Sequence, residues 1–416
     1  MLMYIAPEEL QRFGISTIDG FIKNFADIET GTAYDWQNGT ITQKKILKGF
    51  KNIQTLQSIF FKYTDYQNDP QKINLEKPDA YNHPNVIPLN PEQTSILQAI
   101  SEELEKYKNA DKDERQELFP GQNYLTFYSK MRTASLDLEL YDPASWEGWL
   151  NPKLETLANN TRQNYLTAKG GQVIFCDRVF SSDATFNIHD KIKRSLCSAG
   201  FKPNEIVIVN GFTKSGSLKN DSMVEKEVSK AVSAFNKGTY KVIIGSTACI
   251  GEGLNLQENS SALHHFDIPF RQSDFIQRNG RIDRQGNSQN SVELHTYMSA
   301  GTIDNYSVSL VQRKANWIDQ LLKTKSNVFI NPNDENYLDA DELLLALTEE
   351  WGDTSKAEDR RKEMERVKEE KLIEAQDQKR KEQLASLSLQ RGSLAAYRGD
   401  KGQLAYQNRL RKITML

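Results

Sequence analysis

The pattern of apolar and polar positions changes texture twice along this chain. From Gly171 onward, short apolar runs alternate with stretches of helical period. Gln172–Cys176, Glu205–Val209, Lys241–Gly245, Ala262–Phe266 and Ser291–Tyr297 are compact and apolar, as buried strands are. Asn187–Ala199, Met223–Phe235, Gln272–Gly280 and Ile303–Leu322 instead carry apolar residues three and four apart, the spacing of an amphipathic helix. Apolar strands separated by helices imply a parallel sheet covered on both faces. Right-handed crossovers wind such a sheet into a doubly wound α/β layer.

Residues 1–165 read differently, as a mostly helical segment, with helices expected over Ile41–Tyr63 and Pro91–Tyr107. Prolines at 70, 78, 84, 88 and 91 mark an extended stretch in which helix cannot persist. Residues 166–325 hold the α/β lobe, and residues 326–416 form a charged helical extension. In that extension Ala357–Gln383 mixes acidic and basic residues at helical spacings, such as Glu365 with Lys368, which suits a solvated arm. Its apolar a and d positions are too sparse for a coiled coil. The end, Arg391–Leu416, is basic with Tyr397 and Tyr406 interleaved, and reads either as a nucleic-acid contact or as a tail.

Composition narrows the partners. Across 416 residues, 53 Lys and Arg meet 56 Asp and Glu for a net charge of -3, so any nucleic-acid contact has to be a local patch. Cys176, Cys197 and Cys249 are far apart, without a C-x-x-C pair or neighbouring histidines. That argues against a structural zinc or any other metal site, and against a disulfide framework. A reducing, cytoplasmic compartment is expected. No apolar run reaches the ~20 residues of a membrane span, and Met1–Phe13 does not read as a secretory signal.

Two blocks carry chemistry. The first, Gly245-Ser-Thr-Ala-Cys-Ile-Gly-Glu-Gly-Leu-Asn-Leu-Gln257, follows a strand directly. Ligands of a parallel sheet bind beyond the carboxyl ends of its strands. Ser246 and Thr247 are therefore placed to offer hydroxyl and N–H donors to a phosphate oxygen. Gly251 and Gly253 permit a tight turn and close approach. An ordinary strand-to-helix turn is the alternative. The second block is Gln277-Arg-Asn-Gly-Arg-Ile-Asp-Arg-Gln-Gly286. Arg281 and Arg284, three apart, project from one side of a helix or helix end, and two adjacent cations call for an anion. A nucleotide γ-phosphate is such an anion. A surface network with Asp274 and Asp283 is the alternative.

Together the blocks resemble motifs V and VI of the Swi/Snf-type branch of superfamily-two helicases, and Gln172–Asp177 resembles motif IV. Segments Gly301–Tyr306 and Lys314–Gln320, with Met3–Ile15 and Gly49–Asn52 upstream, resemble large helicases of phages and mobile elements. In those the motor is often fused to an adenine-specific DNA methyltransferase and associated with antirestriction. The resemblance implies a RecA-like second motor lobe in a bacterial or phage-infected cell. It implies that Gln277, Arg281 and Arg284 engage ATP phosphates, and that Gly251, Glu252 and Gly253 couple that site to the nucleic-acid track. It also implies that Ser246, Thr247 and Asn255 contact DNA, with duplex DNA favoured through this likeness alone.

The sequence departs from the full motor pattern. No G-x-x-x-x-G-K-[ST] is present to cradle phosphates. An Asp-Glu-x-His or Asp-Glu-x-Asp box for magnesium is missing, as is an Asn-Pro-Pro-Tyr or Asp-Pro-Pro-Tyr methyltransferase signature. ATP with Mg2+ is therefore expected as a cofactor only in company with a first lobe on another polypeptide or on a longer product of the gene. Two functions are weighed: half of an ATP-driven DNA helicase or translocase, and a non-catalytic DNA- or protein-binding clamp derived from a helicase lobe. The isolated chain is expected neither to bind ATP tightly nor to hydrolyse it.

Overall fold

A computed structural model describes residues 2–35, 40–64, 76–211, 221–251, 253–269, 271–305, 307–308, 328–330 and 362. The elements below all lie in the first of two compact units, Met1–Trp351. Most of the helix expected over Ile303–Leu322, and the charged arm except Lys362, fall outside the described residues.

In chain order the first elements are α1 (Leu2–Ile5), α2 (Pro7–Arg12), α3 (Ile18–Phe25), β1 (Ala26–Asp35), β2 (Thr40–Lys51) and α4 (Ile53–Tyr63). Next come β3 (Asp79–Ile87), α5 (Pro91–Asn109), α6 (Lys112–Leu118), α7 (Tyr124–Leu136), α8 (Leu138–Tyr141) and α9 (Pro152–Ala168). The α/β stretch follows as β4 (Gly171–Phe175), α10 (Ile188–Ser198), β5 (Ile206–Val209), α11 (Asp221–Asn236), β6 (Val242–Gly245) and α12 (Thr247–Ile250). It closes with β7 (Ser260–His265), α13 (Gln272–Asn279), β8 (Ser291–Ser299) and the short β9 (Val328–Ile330).

Six strands form one sheet in the order β3-β8-β7-β4-β6-β5, and every neighbouring pair is parallel. This is the parallel α/β sheet expected from the run of strands after Gly171. Alternation along the strands divides the core in two. Ile174, Cys176, Val242 and Ile244 pack with Leu157 of α9 and Ile188, Ile192 and Leu196 of α10. Val173, Phe175, Ile243 and Leu263 pack on the other face with Val228, Ala231 and Phe235 of α11. Successive strand residues point to opposite faces, so a run with no polar gap has to be covered on both.

The remaining helices have their own cores. Leu97, Ile100 and Leu104 of α5 pack with Phe127, Met131 and Ala134 of α7, and Leu10 of α2 packs with Phe25 and Ile59. Helix α9 starts where Asn151 accepts the Lys153 and Leu154 amides at 2.9 and 3.3 Å, with Pro152 in the first turn.

One element corrects the reading of the first segment. The helix expected over Ile41–Tyr63 forms only from Ile53, because Thr40–Lys51 pairs antiparallel with β1. Thr40, Ile41, Thr42 and Ile46 are β-branched, and that preference is realised once a partner strand is at hand. The proline-marked stretch contributes β3, an edge strand on β8. Pro84 is tolerated there because an edge strand has one side free of ladder bonds.

Candidate functional site

The carboxyl ends of β4, β6 and β7 converge on one arginine that the sequence reading passed over. Arg278 of α13 is completely buried. Its Nε donates to Thr247 Oγ1 at 2.8 Å, Nη1 to the Asp267 carbonyl at 3.0 Å, and Nη2 to Asp177 Oδ2 at 2.8 Å and Asp267 Oδ1 at 3.1 Å. Asp177 in turn accepts the Thr247 amide at 2.6 Å and the Thr247 hydroxyl at 3.0 Å. Asp267 Oδ2 accepts the Asp177 amide at 2.8 Å. The first residues beyond β4 and β7 and the start of α12 are thereby tied to α13 through a single side chain.

Electrostatics follow the same geometry. Burial works to raise the Asp267 carboxyl, and the charges of Arg278 and Arg132 override it and hold it below its usual value. His265 is pushed down to about 3, first by burial and then by the Arg278 charge, so it is neutral at pH 7. Its Nε2 lies 2.8 Å from Asn279 Oδ1, which fixes Nε2 as the donor. On the opposite flank of the sheet His264 sits between Tyr297 OH at 2.9 Å and Gln172 Oε1 at 3.0 Å.

Thr247 lies at this hub, with both its amide and its hydroxyl committed to protein partners. Ser246 stands just before α12 at its cap position and makes no side-chain cap bond. Gly251 is required by close approach, since a Cβ there would lie 2.4 Å from the Thr247 carbonyl oxygen. Gly253 adopts φ +67°, a left-handed conformation that side-chain-bearing residues rarely take. Glu252 lies outside the described residues.

Arg281 and Arg284 follow α13 in the turns after its last residue, Asn279. Both reach the same strip of chain. Arg281 Nη1 donates to the Leu254 carbonyl at 2.8 Å and its Nε to the Gln277 carbonyl at 3.1 Å. Arg284 is exposed, and its Nη1 lies 3.4 Å from Asn255 Oδ1. The Gln277 amide oxygen is buried without a hydrogen-bond partner. Gln277, Arg281, Arg284 and Asn255 are thus brought together, apart from the Thr247 hub. Asp283, weighed as a partner for the arginines, binds Lys77 Nζ at 2.9 Å instead.

Helical spacing could have found Arg278. It stands three residues after Phe275, which stacks against His265 with centroids 4.4 Å apart, and four before the buried Ile282. That is the inward face of α13. Nothing in the spacing pointed to Asp177 and Asp267 as its partners, because they come from separate strands.

With this geometry in view, comparison with known proteins is informative at the level of the domain. Residues 207–286 match the helicase conserved C-terminal domain. The match runs from β5 through both motif blocks. The chain is 23% identical over 516 residues to the defense against restriction protein B of Escherichia phage P1, covering 94% of this chain and 22% of that protein. It therefore spans about a fifth of the length of that curated relative. Similar solved structures include the C-terminal part of the Fun30 ATPase domain, at 17% identity and TM-score 0.43 over 66% of this chain and 98% of the other. Another is the Sulfolobus solfataricus SWI2/SNF2 ATPase core domain, at 20% identity and TM-score 0.42 over 70% of this chain and 53% of the other. Among the described residues no helix is long and apolar enough to cross a membrane.

Proposed function

We propose that this chain supplies the second lobe of an ATP-driven DNA helicase or translocase, with Arg281 and Arg284 presented to the nucleotide phosphates held by a first lobe. The observation that carries this reading is the state of Arg284. Its guanidinium is exposed and meets only a neutral amide oxygen at long range, while the adjacent Asp283 carboxylate is taken by Lys77. A permanent cation held at a helix end without a carboxylate suits an anion brought by another body. Gln277 would add its side-chain amide N–H donors to the same phosphate contact.

ATP would supply the transferable phosphoryl group and Mg2+ its charge neutralisation, with magnesium ligands on the first lobe. This chain's own part is to present Arg281 and Arg284 to the γ-phosphate. The loop from Gly251 through Glu252 to Gly253 would pass closure of the cleft to the DNA side, where Ser246 would offer its hydroxyl. Further partners are duplex DNA and a DNA methyltransferase module, and the name of the phage relative suits an antirestriction context in a bacterial or phage-infected cell.

The test is DNA-stimulated ATP hydrolysis, measured on the chain alone and after addition of a polypeptide carrying the phosphate-binding lobe. Turnover only in the mixture, lost with Arg281→Ala or Arg284→Ala, would establish the reading. DNA binding with no turnover in either case would replace it with a non-catalytic clamp.

A further inference from the structure

Beyond α13 the chain turns back, and the turn is fixed from several sides. Ile282 is fully buried, and its carbonyl accepts the Arg284 amide at 3.0 Å and Asn287 Nδ2 at 3.0 Å. The Asp283 amide donates to the Asn279 carbonyl at 2.9 Å. This backbone sets a carboxylate between Arg281 and Arg284 in the sequence, the two cations assigned to the nucleotide phosphates.

A lysine from a distant part of the chain occupies that carboxylate. Lys77 Nζ donates to Asp283 Oδ1 and Oδ2 at 2.9 Å each, across 206 residues of sequence. Lys77 stands two residues before β3. Pro78 beside it is buried, and the Asp79 amide donates to the Asn290 carbonyl at 2.9 Å, where β3 begins to pair with β8. The edge strand thus delivers the ammonium to the turn. The Lys77 side chain keeps 31% of its exposure and that of Asp283 19%, so water screens the pair and it contributes little to stability. With the turn already held by Ile282 and Asn287, the pair is not needed as its tether.

What the pair changes is the charge beside Arg284. That guanidinium is exposed, and its Nη1 meets the neutral Asn255 Oδ1 at 3.4 Å. A carboxylate one residue away competes with any incoming anion, because an ion pair with it would consume the charge that a phosphate needs. Lys77 answers both Asp283 oxygens with a positive charge of its own.

We propose that Lys77 is a positioning residue of the arginine site: by holding the Asp283 carboxylate it keeps Arg284 available to an incoming phosphate. This rests on the reading of Arg284 as a nucleotide contact, and it ties the availability of that arginine to the seating of β3 on β8.

The test compares the full chain with Lys77→Met, with Lys77→Arg, and with Lys77→Met combined with Asp283→Asn. Phenylglyoxal attacks the uncharged guanidine and slows when a carboxylate holds the charge, so its rate at Arg284, followed by peptide mass mapping, reports the ion pair. This arm needs no first lobe. Lys77→Met is expected to slow modification of Arg284 about two- to fivefold, the range for one exposed ion pair. Lys77→Arg and the double variant should react at the parent rate. In the motor completed by a first lobe, kcat for ATP hydrolysis should fall by the same factor in Lys77→Met with KM unchanged, and return in the double variant. Rescue by a second substitution in the same chain excludes damage to the fold as the cause.

If the completed parent shows no turnover while the modification pattern holds, Lys77 keeps its role and the motor reading falls. An Arg284 modification rate unchanged by Lys77→Met would overturn the proposal. So would equal slowing in Lys77→Met and in the double variant, which would make the ion pair a tether of the turn.

Discussion

Arg278 and Asp177 are 2.8 Å apart, yet they stand 101 residues apart in the sequence, and the same Asp177 carboxylate holds the amide of Thr247. The pair joins the Gln277–Gly286 block to the start of the Gly245–Gln257 block through a third element, the end of β4. The arginine-rich block thus contains one arginine, Arg278, that builds the hub, and two, Arg281 and Arg284, that reach the Leu254–Asn255 strip instead.

Removing the central guanidinium leaves two carboxylates with too little compensation. Arg278→Met is expected to cost about 3–5 kcal/mol, the usual penalty for breaking a buried ion pair. Arg278→Lys should recover little, because one ammonium cannot reach Thr247, Asp177 and Asp267 in a single plane. Urea denaturation of the three proteins checks this, and a parent-like midpoint for Arg278→Met would rule out the hub.

Arg284 should behave in the opposite manner. Its exposed side chain holds one long bond, so Arg284→Ala is expected to shift stability by no more than about 0.5 kcal/mol. When the motor is completed by a first lobe, the same change should reduce ATP turnover by about 10³ or more. Side-by-side melting and turnover measurements separate the two effects, and turnover at the parent rate would refute the arginine-finger role.

Acid should destabilise the lobe well before its carboxylates are fully protonated. His265 is held at about 3 by burial and the Arg278 charge, and His295 at about 4 by burial and the neighbouring His83. His264 is pushed well below its usual value, first by burial and then by His295 and His265. Unfolded histidines titrate near 6.5, so below that pH the unfolded chain binds protons that the folded chain refuses. Stability is therefore expected to fall from about pH 6.5 downward, by up to about 1.4 kcal/mol per pH unit for each such histidine, with His295 ceasing to contribute below about 4. A urea midpoint that stays flat between about pH 7 and pH 5 would contradict this.

Gly251 gives a prediction about coupling. A methyl group there would lie 2.4 Å from the Thr247 carbonyl and 2.7 Å from its Cγ2, so Gly251→Ala has to displace the start of the loop. A cost of about 1–3 kcal/mol is expected from such overpacking. The comparison with Ala248→Gly, on the same short helix but exposed, checks that the loss belongs to the close approach and not to the helix itself.

Much of the lobe was legible because its strands are apolar on both faces. Val173, Ile243 and Leu263 announce a buried parallel sheet whichever way the chain is wound. β3 gave no such signal: Asn82, His83, Pro84 and Asn85 are polar or ladder-breaking, and the strand exists because β8 offers it an edge. β2 was mistaken for helix for a related reason, since its pairing with β1 is a tertiary fact that no window of its own residues contains. At the site, Arg284 meets Asn255, and Arg281 bonds the Gln277 and Leu254 carbonyls. Arg278 gave no such signal because its meaning lies in what surrounds it, the carboxylates that follow two separate strands.

The edge pairing of β3 with β8 has a consequence for how the protein comes into being. His83 and Glu293, which touch across that edge, are separated by 210 residues. Long-range pairings of this kind raise contact order and slow folding. On the ribosome β3 is made early and waits, unpaired, while the four strands between it and β8 in the chain are synthesised. A nascent chain holding an open strand edge for that interval is exposed to association with other chains. Expression at lower temperature, or alongside chaperones, should raise the soluble yield of this lobe more than that of a parallel sheet whose neighbours are made in succession.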